Sequence, residues 1–151
     1  MNTKTMEDRG IDLQQATLDS LKMRLKEPVI VPGDAVLDNY LSALPAGFGT
    51  IAPAALNEQM VAAKPFILDV REASEVTSAG AIAGSVNIPI REVAKNLAKL
   101  PAEDQPIVAV CSLGHRAAMV MMALQMMGYT NVKSLSGGLT AWNAANLPVV
   151  K

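Results

Sequence analysis

The stretch that decides the fold is Ile-Val-Ala-Val-Cys-Ser-Leu-Gly-His-Arg, at residues 107–116. Its first part, residues 107–110, is an apolar run of strand length, and a helical pattern follows at residues 117–127. A strand that is apolar throughout is typical of the centre of a parallel sheet, where helices cover both faces. Ligands of such sheets bind beyond the carboxyl ends of the strands, so residues 111–116 are predicted to form the functional loop.

Cys111 opens this loop and is the only cysteine of the chain. The unpaired amides of a first helical turn and the helix dipole favour an anion at this point, and the thiolate is the nucleophilic form of cysteine. Arg116 adds a permanent cation whose planar fork suits an oxyanion. We predict that Cys111 and Arg116 are catalytic; the alternatives are an inert buried thiol and a merely solvated arginine in the first helical turn. The other predicted loop and substrate-binding residues are Ser112, Leu113, Gly114 and His115.

Two of these loop residues have distinct predicted roles. Gly114 lacks a Cβ and lets the backbone curl around the sulfur. His115 is the only histidine of the chain, and it is interpreted as lining the loop, with acid–base catalysis as the alternative.

Strand-like and helix-like segments alternate from residue 48 onward. This alternation predicts an α/β sandwich with a mostly parallel central sheet. The methionines that follow the loop recur at helical spacing and are predicted to fill the core. The predicted strands lie at residues 50–51, 65–70, 83–89, 107–110 and 131–135, and the predicted helices at 53–63, 74–78, 91–97, 117–127 and around Trp142.

The first part of the chain differs in composition from the rest. Leu18, Leu21 and Leu25 recur at helical spacing, and a second amphipathic pattern runs over residues 36–44. We predict a partly helical N-terminal extension at residues 1–47, to which the sequence assigns no role, and a domain at residues 48–151.

Composition excludes several classes of function. The net charge of −1 and an aromatic content of 3% give little support for nucleic-acid binding. No apolar run approaches the roughly 18 residues of a membrane span. Because one cysteine forms no internal disulfide, the protein is expected to be cytoplasmic. Cys111 and His115 are too few for a zinc site, so neither a metal nor a cofactor is expected.

Four motifs, in order and spacing, resemble the rhodanese family of sulfurtransferases. The third is the loop itself, in which four residues separate Cys111 and Arg116. The motifs are Leu-Asp-Val-Arg-Glu at 68–72, Gly-Ala-Ile-Ala-Gly-Ser-Val-Asn-Ile-Pro at 80–89, the loop at 111–116, and Ser-Gly-Gly-Leu-Thr-Ala-Trp at 136–142 followed by Leu-Pro-Val at 147–149. The resemblance covers roughly residues 48–151 and implies a three-layer α/β/α sandwich.

The resemblance also implies an activity. Cys111 would take a sulfane sulfur from a small donor, either thiosulfate or a low-molecular-weight persulfide, and pass it to a thiol or to cyanide. A protein persulfide partner is a further possibility. Asp69 is interpreted as capping loop amides and Arg71 as pairing with a nearby acid such as Glu75, both as supporting residues near the active face; a catalytic role is the alternative.

The sequence departs from the family pattern at two places. Ala81 stands where the family carries a histidine, and Ser112 and Leu113 are uncharged where many thiosulfate-using members carry basic residues. Two alternative functions remain. One is a rhodanese-like module that binds a partner or carries a persulfide without catalysis. The other is a phosphatase or arsenate reductase, although those loops place five residues between cysteine and arginine.

Overall fold

The computed structural model describes residues 33–151, which fall into two compact units divided between Leu44 and Pro45. In the first unit, helix α1 spans Gly33–Ser42 and confirms the second predicted amphipathic segment. The first predicted segment, with Leu18, Leu21 and Leu25, lies outside the described residues. Within residues 33–151, no helix is long and apolar enough to cross a membrane.

The second unit alternates short strands with helices, as predicted. Its strands are β1 (Thr50–Ile51), β2 (Phe66–Asp69), β3 (Val86–Asn87), β4 (Ile107–Val110) and β5 (Val132–Leu135). Its α-helices are α2 (Pro53–Ala62), α3 (Ala73–Ala79), α4 (His115–Met126) and α5 (Gly138–Ala144). Two 3-10 helices, Ile90–Lys95 and Leu97–Lys99, lie between β3 and β4.

The segment predicted as one helix at residues 91–97 is divided at Asn96. This residue has φ −121° and ψ 23°, outside the helical region. Its side-chain amide donates a hydrogen bond of 2.8 Å to the carbonyl of Glu92, which competes with regular helical bonding. The chain therefore forms two short 3-10 helices here.

All strands of the sheet are parallel, in the order β1-β5-β4-β2-β3. Strand β4 lies between β5 and β2, and each of its four residues is buried. The prediction of a central, apolar β4 is thus confirmed. Since parallel strands end at the same edge, the segments after β2, β3, β4 and β5 meet at the carboxyl edge of the sheet.

The core lies on both faces of the sheet, which gives the three layers. Ile107 and Ala109 pack on one face together with residues of α4, whereas Val108 and Val110 pack on the other. Trp142 is 1% exposed on this second face, and its indole N–H donates to the carbonyl of Pro148 at 3.0 Å. Each face of β4 is therefore covered, as the sequence of the strand requires.

The methionines of α4 only partly follow their prediction. Met121 is buried, but Met119, Met122 and Met126 are 60%, 42% and 64% exposed. The prediction that they all fill the core was wrong, because α4 covers the sheet with one side only and its opposite side faces solvent.

Candidate active site

The thiol of Cys111 lies directly beyond the end of β4. Its side chain continues the alternation of the strand and packs on the same face as Ile107 and Ala109, the face covered by α4. The residue is 1% exposed. The backbone N–H of Gly114 donates to Sγ of Cys111 at 3.1 Å, so the loop does curl back over the sulfur.

Gly114 makes this curl possible. Its φ of +99° lies in the region that residues with a side chain rarely adopt, and it immediately precedes α4. A Cβ at this position would lie 3.4 Å from the carbonyl oxygen of Leu135. Both the conformation and the close packing therefore favour glycine here, as predicted.

The start of α5 holds the outer side of the loop. The N–H of Leu139 donates to the carbonyl of Cys111 at 2.8 Å, and the N–H of Thr140 donates to that of Ser112 at 3.0 Å. This approach requires Gly138, where an added Cβ would lie 2.6 Å from the carbonyl carbon of Ser112. The sequence analysis placed Gly138 in the motif at residues 136–142, but it did not predict that this residue anchors the loop.

Arg116 forms a bidentate ion pair with Glu75 of α3. Its Nη1 donates to Oε2 at 2.7 Å and its Nη2 donates to Oε1 at 2.8 Å. Ser112 joins them, because its hydroxyl donates to Oε1 of Glu75 at 2.9 Å and accepts from Nη2 of Arg116 at 3.1 Å. Both ends of the loop are thereby fastened to one carboxylate.

Glu75 is itself held by a capping box at the start of α3. Its Oε2 accepts the backbone N–H of Glu72 at 3.0 Å, and the side chain of Glu72 accepts from the first turn in return. The spacing Glu72-x-x-Glu75 was the available sequence signal for this arrangement, but the sequence analysis did not use it and named Glu75 only as a partner for Arg71.

The ion pair changes the titration of both partners. The hydrogen bond from Arg116, followed by that from the Glu72 backbone, lowers the pKa of Glu75 to about 2. The same pair raises the pKa of Arg116, and Cys111 adds a smaller increase. At neutral pH, Glu75 is therefore ionised and its charge offsets that of Arg116.

Asp69 and Arg71 form a separate, buried ion pair. Both side chains are 1% exposed, and Nη2 of Arg71 donates to Oδ2 of Asp69 at 2.6 Å and to the carbonyl of Gly80 at 2.8 Å. Asp69 also accepts the backbone N–H of Arg71 at 3.1 Å. The predicted pairing of Arg71 with Glu75 was wrong, because the guanidinium of Arg71 pairs with Asp69. Glu75 pairs with Arg116 instead.

The remaining loop residues face outward. Leu113 is 58% exposed, and His115 is exposed at the first position of α4. Neither is brought against the sulfur by a hydrogen bond. No group of three or more His, Cys, Asp or Glu side chains in residues 33–151 is arranged to hold a metal ion.

Two hollows lie in this part of the molecule. A polar cavity of about 220 Å³ adjoins the loop at Ser112, and an apolar groove of about 250 Å³ lies beside α4 and includes no residue of the loop. The polar cavity is lined by Arg71, Glu75, Ser78, Ser112, Thr140 and Asn143, among others; the apolar groove by Ile90, Val93, Leu97, Met119, Val120 and Met127, among others. Because Cys111 packs on the α4 face, the apolar groove lies on the side that its side chain occupies.

The comparisons with known proteins agree on one family. The family model of the rhodanese-like domain matches residues 52–145. Human thiosulfate:glutathione sulfurtransferase is 27% identical over 110 residues, which are 64% of this chain and 95% of the human protein. A rhodanese-related protein of Thermoplasma volcanium is 35% identical with a TM-score of 0.61, over 67% of this chain and 96% of its own.

One further structure covers nearly the whole chain. It is a Rhodopseudomonas palustris protein of unknown function, described as a possible tyrosine phosphatase. It matches 99% of each chain with a TM-score of 0.61 and 20% identity, and this likeness concerns the fold alone.

Proposed function

The chain belongs to the rhodanese-like domain family, and on that premise we propose that it is a sulfurtransferase that carries a sulfane sulfur on Cys111. The observation that carries the proposal is the hydrogen bond of 3.1 Å from the Gly114 amide to Sγ of Cys111. A donor aimed at the sulfur stabilises the thiolate and, after transfer, a persulfide anion.

The first half-reaction loads the cysteine. With thiosulfate, the thiolate of Cys111 attacks the outer sulfur, a new S–S bond forms, and the old S–S bond breaks. The electron pair of the broken bond leaves with sulfite, and Cys111 keeps the transferred sulfur as a persulfide anion. Charge balances, because a thiolate and a dianion become a persulfide anion and a dianion.

The second half-reaction unloads it. A thiolate attacks the terminal sulfur of the Cys111 persulfide, the bond between the two sulfurs breaks, and the Cys111 thiolate is restored. Cyanide reacts in the same way and leaves as thiocyanate. Since the enzyme alternates between two covalent states, the kinetics should be ping-pong.

The other loop residues hold this chemistry in place. Gly114 supplies an amide to the sulfur, whereas both terminal nitrogens of Arg116 are committed to Glu75 and Ser112. We therefore assign Arg116 to positioning the loop. Asp69 and Arg71 support the strand end behind the loop.

The relatives support a small donor and a thiol acceptor. The human relative carries thiosulfate and glutathione in its name, and the match covers 95% of the human protein. For this chain we assign thiosulfate or a small persulfide as donor and a low-molecular-weight thiol as acceptor. A carrier that passes the sulfur to one protein partner would form the same Cys111 intermediate without rapid turnover.

Loop length argues against the phosphatase alternative. Four residues separate Cys111 from Arg116. A loop one residue longer is needed to surround a tetrahedral oxyanion, whose radius exceeds that of a single sulfur atom. The short loop therefore favours sulfur transfer.

Intact mass after exposure to thiosulfate tests the proposal. We expect the wild-type protein to gain one sulfur atom and to lose it on addition of cyanide, with release of thiocyanate. The Cys111→Ser variant should remain unmodified. The serine variant should unfold at the same denaturant concentration as the wild type. Absence of the adduct with both thiosulfate and glutathione persulfide, in folded protein with a titratable thiol, would refute the proposal. Turnover of a phosphate ester that depends on Cys111 would favour the alternative.

A further inference from the structure

The catalytic loop lacks a free cation for an anionic donor. Arg116 is the only lysine or arginine within residues 111–116, and both its terminal nitrogens donate to Glu75 or Ser112. Thiosulfate carries two negative charges, and a buried thiolate would repel it. A positive charge from another element near the sulfur would attract a donor of this kind.

The first 3-10 helix (Ile90–Lys95) lies on the face of the sheet that carries the Cys111 side chain. Ile90 and Val93 pack against the cluster that contains Cys111. The start of the helix is fixed at the carboxyl edge of the sheet, because the N–H of Ile90 donates to the carbonyl of Val70 at 3.1 Å. The next residue, Arg91, therefore leaves the backbone at this edge.

Arg91 is a weakly paired cation next to the residues that brace the loop. Its side chain is 87% exposed, and its only ion pair in the described part of the chain is a long one, 3.9 Å from Nη1 to Oε1 of Glu72. Glu72 belongs to the capping box that holds Glu75, so this contact places the guanidinium beside the network that braces the loop.

Lys95 provides a contrast on the same helix. It is also exposed, but its Nζ lies 3.1 Å from Oε1 of Glu92, a full ion-pair distance. Its charge is therefore offset locally, whereas that of Arg91 is only weakly paired. A planar guanidinium also matches the oxygens of a sulfonate-like group better than an ammonium does.

We propose that Arg91 determines specificity for anionic sulfur donors by attracting the oxyanion end of the donor to the mouth of the Cys111 loop. This inference rests on the proposed function, and Glu72 competes with the donor for the same guanidinium. Arg91 takes no part in bond breaking. Its contribution should appear in donor capture and not in the steps that follow loading.

The test measures the rate of persulfide formation on Cys111 against thiosulfate concentration. Arg91→Gln should raise the KM for thiosulfate about two- to fivefold, the range expected for the loss of one solvent-exposed charge pair. Arg91→Lys should restore part of the loss. Glu72→Gln, which keeps a side-chain acceptor for the capping box, should lower the KM for thiosulfate, because it frees Arg91 from a competing carboxylate. Lys95→Gln should leave the KM unchanged.

Two further measurements separate charge from structure. The rate at which 2-mercaptoethanol persulfide, whose tail is uncharged, loads sulfur on Cys111 should differ little between the wild type and Arg91→Gln. The difference with thiosulfate should shrink as salt rises from about 0.05 to 0.5 M, because ions screen exposed charges. Equal KM values for the wild type and Arg91→Gln, or an equal loss in Lys95→Gln, would overturn the inference. Failure of the wild type itself to form a persulfide would instead refute the proposed function.

Discussion

Substitution of Gly138 by alanine should displace the Cys111 loop without touching the thiol. Gly138 begins α5 with φ +58°, and an added Cβ would lie 2.6 Å from the carbonyl carbon of Ser112 and 2.7 Å from its oxygen. The carbonyl oxygen of Cys111 is closer still. Because these atoms are backbone, the overlap can be relieved only if α5 and the loop move apart.

The expected cost has two parts. A side chain in the left-handed region costs about 1–2 kcal/mol. Separation also breaks two hydrogen bonds, from Leu139 to Cys111 at 2.8 Å and from Thr140 to Ser112 at 3.0 Å. At about 1 kcal/mol each, these bring the total to roughly 3–4 kcal/mol of the free energy of unfolding. A loop displaced by about 1 Å should also slow persulfide formation by up to about a hundredfold.

Gly84→Ala is the matched control for this substitution. Gly84 has φ +76°, but no atom lies within 4 Å of an added Cβ. This variant should therefore lose only the conformational part, about 1–2 kcal/mol, and keep the wild-type loading rate. Urea unfolding and the kinetics of persulfide formation report the two effects separately. If Gly138→Ala is no less stable than Gly84→Ala and loads sulfur at the same rate, the close approach of α5 does not position the loop.

Two other predictions concern the ion pairs. Glu75→Gln should destabilise the protein by about 1 kcal/mol at pH 7, a value reduced by solvent because the pair is partly exposed. Arg116 lowers the pKa of Glu75 from 4.5 to about 2. The contribution of the ionised Glu75 to the free energy of unfolding is therefore complete above pH 4.5 and is lost as the pH falls through 2. Urea unfolding of both proteins should therefore show a difference that narrows over this window; a constant difference would contradict the assignment. Asp69→Asn should cost about 3–5 kcal/mol by leaving Arg71 buried without a counter-charge, against less than about 1 kcal/mol for the exposed control Glu92→Gln. Similar urea midpoints for these two variants would show that the buried pair is not required.

The sequence predicts best where local patterns and turn chemistry agree. The strand at 107–110, the loop and the helix after it were found from an apolar run, a glycine and a helical period, all within twenty residues. These signals are local, and the computed structure reproduces them with helix α4 at His115–Met126. The weaker prediction concerned the exposed methionines, because periodicity alone does not say how wide a face a helix buries.

Partner choice among charged residues could not be predicted in the same way. Arg71 has Asp69 two residues before it and Glu75 four residues after it, so spacing offers two acids. The choice depends on Arg116, which lies 41 residues beyond Glu75 and takes both oxygens of its carboxylate. Such a contact exists only after β2 and β4 have paired, and it is therefore absent from any local pattern.

Under the proposed function, the position of Arg116 bears on how one loop could favour a persulfide. A cation in the first turn of a helix is unfavourable by itself, because it meets the positive end of the helix dipole. Glu75 offsets that charge and fixes the guanidinium at one end of the loop. The amide of Gly114 then remains aimed at the sulfur of Cys111. Because the charge needed to attract a donor would come from Arg91 outside the loop, donor capture and persulfide stabilisation would depend on different residues, and substitutions should alter one without the other.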